Sequence, residues 1–331
     1  MVRGSGTRLI VMLAAATLAA AALSLFIGYA ALPMAKVVAG LFGDGGTASV
    51  IMREIRLPRM LLGLVAGAAL GVSGAVLQGL LRNPLAEPGV TGVSAFAALG
   101  AVVAMYFGLA AAWPLALPLL AISGALISAL LLFALSARDS GILTLILAGV
   151  ALSSLASALT ALALNLAPNP YAVSEIVFWL LGSLKDRSLQ DVAIAAPFVA
   201  GGIALLSTTG RALDALTLGD DGAQSLGVDL RSLARSTALG VALAVGGSVA
   251  VTGTIGFVGL VVPHLVRPFV GHQPSKLLLP SALAGALLVT AADIGVRLVP
   301  VTPELMLGVV TSLTGAPFFL WLIIRMRREM R

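Results

Sequence analysis

Apolar residues fill this chain in long runs, separated by short clusters of proline, glycine and charge. About 20 consecutive apolar residues suffice for a helix to cross the hydrocarbon core of a bilayer. Breaks in the pattern divide the chain into ten predicted helices, approximately 9–31, 58–82, 90–109, 113–135, 142–165, 191–207, 233–251, 254–271, 278–298 and 304–324. The pair between 233 and 271 carries Gly246, Gly247, Gly253, Gly256 and Gly259, which allow a short or broken helix. Broken helices in transporters line cavities, although the same glycines also suit close helix packing. The predicted fold class is all-α: one polytopic membrane domain over residues 1–331, with ten transmembrane helices.

Two stretches between the runs are long enough to matter. Residues 166–190 contain an amphipathic piece at 174–183, predicted as a short helix lying on the outer surface. Residues 208–232 keep Leu213, Leu216 and Leu218 before Gly219, and Leu226 after it. That pattern predicts two short helices joined by a sharp turn. A solvated connector has no need of leucines at helical spacing, which instead suit a helix laid in a partner's groove.

Only 10% of the residues are charged and mean hydropathy is +1.08, against about 25% charged in soluble domains. A water-facing surface cannot be covered with so little charge. The net charge of +6 does not point to nucleic acid, because the basic residues sit singly between apolar runs, as charges flanking membrane spans do. With ten spans both termini share a side. Putting them in the cytoplasm leaves about 13 of the 20 Lys and Arg inside, including Arg82, Arg138, Arg211, Arg267 and the tail from Arg325 to Arg331. About 7 then lie outside, at Lys36, Arg53, Arg56, Arg59, Lys185, Arg187 and Arg297, the bias expected of positive-inside topology. The first run, after Arg3 and Arg8, is long for a signal-peptide core and reads as a first span.

Catalytic chemistry is hard to find. With no Cys, thiolate metal sites and cysteine nucleophiles are excluded. There is no His-Glu-x-x-His and no Gly-x-Ser-x-Gly, and His264 and His272 have no acidic neighbour placed for a metal. His264, beside Pro263, reads as a structural hydrogen-bonding residue. Lys36, Lys185 and Lys276 follow Ala35, Leu184 and Ser275, so no Gly-Lys-Ser/Thr phosphate loop exists. No catalytic residue, metal site or cofactor of its own is expected, and ATP-driven work requires another subunit. An ion-coupled secondary carrier is the alternative, but such carriers keep carboxylates within their spans. Here Asp293 is the main exception, and its spacing from Arg297 predicts a local i,i+4 ion pair.

The stretches Arg56-Leu-Pro-Arg59, 67–78 and Arg82-Asn-Pro-Leu-Ala-Glu-Pro-Gly89 resemble the FecCD-type permeases that import ferric siderophores, haem and cobalamin. Residues 253–267, 291–297, 303–311 and 315–321 are similar to the same family, in the same order. The resemblance implies a homodimer in a bacterial inner membrane. Two cytoplasmic ATP-binding subunits would supply ATP and Mg, a periplasmic binding protein would deliver substrate, and a small-molecule metal chelate would be the cargo. It also implies site roles. Arg56, Arg59 and Arg297 would dock the binding protein, although arginines at helix ends also anchor in headgroups. Leu216, Leu218, Gly219, Asp220, Ala223, Leu226 and Gly227 would couple to the ATPase. Asn83 and Leu85, with Ile142 and Leu143, would form the cytoplasmic gate, although Asn83-Pro84 also fits a helix stop. Trp179 and Trp321 fit interface anchors.

Without a phosphate loop, the purified chain is expected to hydrolyse no ATP until its partner subunit is added. A phosphate-release assay on the isolated chain checks this, and hydrolysis free of contaminants would refute it.

Overall fold

A computed structural model describes residues 3–43, 46–136 and 142–329. The described residues form helices and no strands. The helices are α1 (Arg3–Phe26), α2 (Leu57–Leu80), α3 (Val93–Tyr106), α4 (Ala116–Ser136), α5 (Ile142–Asn165), α6 (Pro170–Leu180), α7 (Leu189–Thr208), α8 (Gly210–Leu216), α9 (Asp220–Ser225), α10 (Leu230–Thr252), α11 (Val258–Val266), α12 (Pro274–Leu298) and α13 (Leu307–Glu329). Between α1 and α2 come a nine-residue helix at Met34–Phe42, a single helical turn at Thr47–Val50 and a wide π turn at Ile51–Arg56 that runs directly into α2.

Every predicted run contains a helix, and among the described residues eight helices are long and apolar enough to cross a membrane. Two predicted spans, 90–109 and 254–271, are shortened to Val93–Tyr106 and Val258–Val270. At 1.5 Å per residue each is about 20 Å long. The cause is local. Pro84 and Pro88 lack backbone N–H groups, and Gly92 takes φ +81°, so α-helical geometry starts only at Val93, after a short 3-10 turn at Pro88–Thr91. In the second segment Gly253 takes φ +69° and Phe257 φ +65°, which unwinds 253–257 before α11. The run 233–251, by contrast, is one unbroken helix, α10. The surface helix predicted at 174–183 occurs as α6, started earlier because the Asn169 side chain accepts the Ala172 N–H at 3.0 Å.

At the core, α2 lies against α12, α10 and α11 with its middle turns fully buried. Without much hydrophobic drive between helices in lipid, small residues that permit close approach carry the packing. Gly63, Gly67 and Gly71 recur every fourth residue along α2. A Cβ on Gly67 would overlap the backbone of Gly285 and one on Gly71 that of Ser281. Gly74 meets the carbonyl of Gly259 in α11.

Since backbone cannot retreat as a flexible side chain can, Gly74→Ala is expected to destabilise the fold by about 1–3 kcal/mol or more. Gly201, with open space around it, should accept Ala with little effect. Thermal unfolding of both variants in detergent checks the contrast.

Candidate functional site

Three places concentrate polar side chains: the end of the bundle where α1 finishes, a cavity at mid-depth, and the opposite end where α8 and α9 lie.

The first is a buried charge cluster. Arg59, on α2, pairs with Asp293 of α12 at 2.8 Å and also with Glu304 in the loop after α12. Arg297 pairs with Asp293 at 2.9 Å, the i,i+4 contact its spacing predicted. It also donates to the carbonyls of Ser24 at 2.8 Å and Ile27 at 2.6 Å. Arg56 donates to the carbonyls of Leu25 at 2.7 Å, Phe26 at 3.1 Å and Ala30. A helix leaves its last four carbonyls without internal partners. In α1 these are taken by the Ile27 N–H, Arg297 and Arg56. The negative end of the helix dipole further favours cations there.

These are the three arginines expected to dock a partner. Arg56, Arg59 and Arg297 are only 3%, 7% and 6% exposed, and their donors are engaged within the chain. Arg59 lies 234 residues from Asp293 and 245 from Glu304, separations no local pattern could reveal. The one available signal was the rarity of carboxylates in so apolar a chain.

The second place is a cavity of about 740 Å³. Glu87, Pro88, Gly89 and Ser94 line one side, the unwound Thr254–Phe257 segment another, and α13 between Gly308 and Pro317 a third. The shortened helices α3 and α11 thus border it through the chain that precedes each, a 3-10 turn before α3 and an unwound segment before α11. Non-helical backbone is tolerated at membrane depth where it lines a cavity. Glu87 is the sole ionisable group among the lining residues. The Phe257 N–H donates to its carboxylate. Glu87 lay within a recognised stretch, yet sequence reasoning gave it no role. Gln78 was missed likewise: its amide donates to the carbonyls of Gly259 and Leu260, and its oxygen accepts from Arg267 at 2.6 Å.

At the third place α2 ends in a Schellman motif. Asn83 N–H donates to the Gln78 carbonyl and Arg82 N–H to that of Gly79, with Arg82 at φ +45°. Asn83 Oδ1 accepts the Leu85 N–H at 2.9 Å, so the helix-stop reading holds, and Asn83 and Leu85 remain partly exposed. The side chains of Ile142 and Leu143 lie outside the described residues. Two short helices occur at α8 and α9 as predicted, with the turn at Gly219, φ +90°. Leu218 and Leu226 stand 68% and 64% exposed. Asp220 pairs with Arg82 at 2.8 Å, and Gly219 and Gly227 sit beside these at the surface. Leu216 and Ala223, also expected to meet a partner, are instead buried at 3% and 0%. They hold the two short helices to the bundle.

Asp293→Ala would leave Arg297 without its carboxylate and Arg59 with Glu304 alone, and should destabilise the fold by about 3–5 kcal/mol, as breaking a buried pair does. Thermal unfolding in detergent measures this, with Asp293→Asn falling between the variant and the natural chain.

Residues 16–325 match the FecCD transport family. The chain is similar to the cobalamin import system permease protein BtuC of Halobacterium salinarum, with 40% identity over 285 residues covering 85% of this chain and 75% of the relative. It is similar to the Fe(3+) dicitrate transport system permease protein FecD of Escherichia coli, with 39% identity covering 96% and 99%. Its fold superposes on an inward-facing structure of a metal-chelate type ABC transporter with TM-score 0.84 and 30% identity, covering 96% of this chain and 99% of that one. From the middle of α1 through α13, with the cavity and both polar ends between them, this chain belongs to the FecCD transport family.

Proposed function

We propose that this chain is the permease subunit of an ATP-driven importer that moves an iron chelate, haem or cobalamin into the cytoplasm by alternating access. Family membership carries the reading, and the absence of a phosphate loop in the sequence supports an ATPase on a separate subunit. In this reading the chain crosses a bacterial inner membrane ten times, with α3 and the α11 segment completing their crossings as unwound chain. Both termini are cytoplasmic. Two copies form a homodimer, two ATP-binding subunits with their ATP and Mg sit beneath it, and a periplasmic binding protein delivers the chelate.

Each polar region has a task in that cycle. The cavity beside Glu87 belongs to the pathway. The turn at Asn83 and Leu85 narrows its cytoplasmic end, joined by Ile142 and Leu143. Leu218 and Leu226 enter a groove of the ATPase, with Gly219, Asp220 and Gly227 shaping the turn between them. Binding-protein docking falls on the outer surface that Arg56, Arg59 and Arg297 organise from beneath, rather than on free arginine side chains. An ion-coupled carrier fits less well, because Asp293 is held by two arginines and has no freedom to exchange a cation.

Changing Leu218 and Leu226 to Asp would place unpaired carboxylates in the ATPase groove, at a cost of about 3–5 kcal/mol where burial is complete. Such variants are expected to lose the ATPase on co-purification and to lose chelate uptake in reconstituted vesicles. Normal assembly and uptake would show that the loop is only a connector.

A further inference from the structure

The loop from 208 to 232 touches the rest of the bundle through one conspicuous ionised contact. Asp214, on α8, accepts the Ser275 N–H at 2.8 Å, the Ser275 hydroxyl at 2.6 Å and the Gln273 amide at 2.7 Å. These residues begin α12. Gln273, at its N-cap, supplies no side-chain cap, and Pro274 has no N–H to offer. The first free N–H of a 25-residue helix is therefore satisfied by a carboxylate 61 residues away in sequence. A carboxylate is favoured there by the helix dipole as well. Burial alone would raise the Asp214 carboxyl, but the bonds from Gln273 and Ser275 and the nearby Lys276 bring it below its ordinary value. It is ionised at neutral pH, and its bonds are of the stronger, charge-assisted kind.

What α12 connects gives this contact meaning. Its stretch from Ser281 to Ala286 lies backbone to backbone on Gly67 and Gly71 of α2, so the two helices have little freedom to slide without clashing. Its far end carries Asp293 and Arg297, which hold α1 and α2, and Arg59 of α2 in turn holds the loop bearing Glu304. The other charged link from the loop, Asp220 with Arg82, is about 40% exposed on both sides, and such exposed pairs contribute little.

We infer that Asp214 is a positioning residue that passes movement of the 208–232 loop into α12, and through the α2–α12 pair to the charge cluster at the opposite end. This rests on the reading that the loop meets the ATPase. One rigid pair then carries both the ATPase-side contact and the opposite face, so events at either face act on the same body.

The test uses the full complex of permease, ATPase and binding protein reconstituted in lipid vesicles. Asp214 faces α12 and not the exposed leucines, so Asp214→Ala is expected to assemble and to keep basal ATP hydrolysis. Stimulation of hydrolysis by the loaded binding protein and chelate uptake should both fall about tenfold, within the range known for residues that modulate coupling between sites. Asp214→Asn, which keeps an acceptor oxygen, should lie between. Gln273→Ala combined with Ser275→Ala removes two of the three bonds but keeps the Ser275 N–H bond, so it should lose part of what Asp214→Ala loses, and adding it to Asp214→Ala should cause no further loss, since all three belong to one contact. Unchanged stimulation and uptake in Asp214→Ala overturn the inference. If Asp214→Ala does not assemble, the Gln273/Ser275 double variant, which leaves the loop sequence intact, decides: normal stimulation there overturns it equally. Failure of the underlying reading looks different, because Leu218→Asp and Leu226→Asp would then assemble and transport normally.

Discussion

A charged side chain surrounded by lipid-facing helices is tolerable only when paired, and an α-helix ending there must still satisfy its last carbonyls. The arginine cluster meets both demands at once. Arg56 and Arg297 take the terminal carbonyls of α1, while Asp293 and Glu304 neutralise Arg59 and Arg297. Three helix ends and one loop become a single unit. With that end fixed, the glycine face of α2 can lie against α12 with almost no side chain between, and the remaining helices pack around this pair.

The pair also frames the region where helical order stops. Gln78, near the end of α2, receives no helix neighbour's bond through its side chain but binds two carbonyls of α11. Glu87 takes the N–H of Phe257 at the start of the same helix. Thr254 donates its hydroxyl to the Leu180 carbonyl, and the Ser183 N–H reaches the Thr252 carbonyl at 2.8 Å. Each bond replaces one that an unbroken helix would have made. The unwound chain beside the cavity is therefore a supported structure, satisfied by residues from α2, α6 and the turn before α3. A cavity of about 740 Å³ with one carboxylate and three hydroxyl-bearing residues in an otherwise apolar lining has few fixed polar contacts to offer a bulky cargo. Such a surface suits passage more than tight retention.

At the opposite end, exposure separates two kinds of leucine. Leu213 and Leu216 are buried against the bundle while Leu218 and Leu226 face outward. The loop thus presents apolar side chains to solvent while being fastened from behind by Leu213, Leu216, Ala223 and Asp214. An exposed pair of leucines on a firmly seated loop is what a groove-filling contact needs, since a seat that yields cannot transmit force.

That the chain lives in lipid, that its elements are helices, and nearly where each lies were legible in the amino-acid order alone. Those properties follow from run length, charge scarcity and the placement of Pro and Gly, all of them local. Equally legible there were the Asp293–Arg297 pair, whose members are one helical turn apart, and the family, through stretches such as Arg82 to Gly89. Packing in three dimensions is what turns Arg56, Arg59 and Arg297 inward, buries Leu216 and Ala223 while leaving Leu218 and Leu226 exposed, and brings Asp214 to cap α12. These depend on contacts between residues tens to hundreds of positions apart. Which face of a helix is buried, and which distant carbonyl or carboxylate meets a given arginine, is settled by how helices pack, and in an almost uniformly apolar chain hydrophobic periodicity carries too little contrast to reveal it.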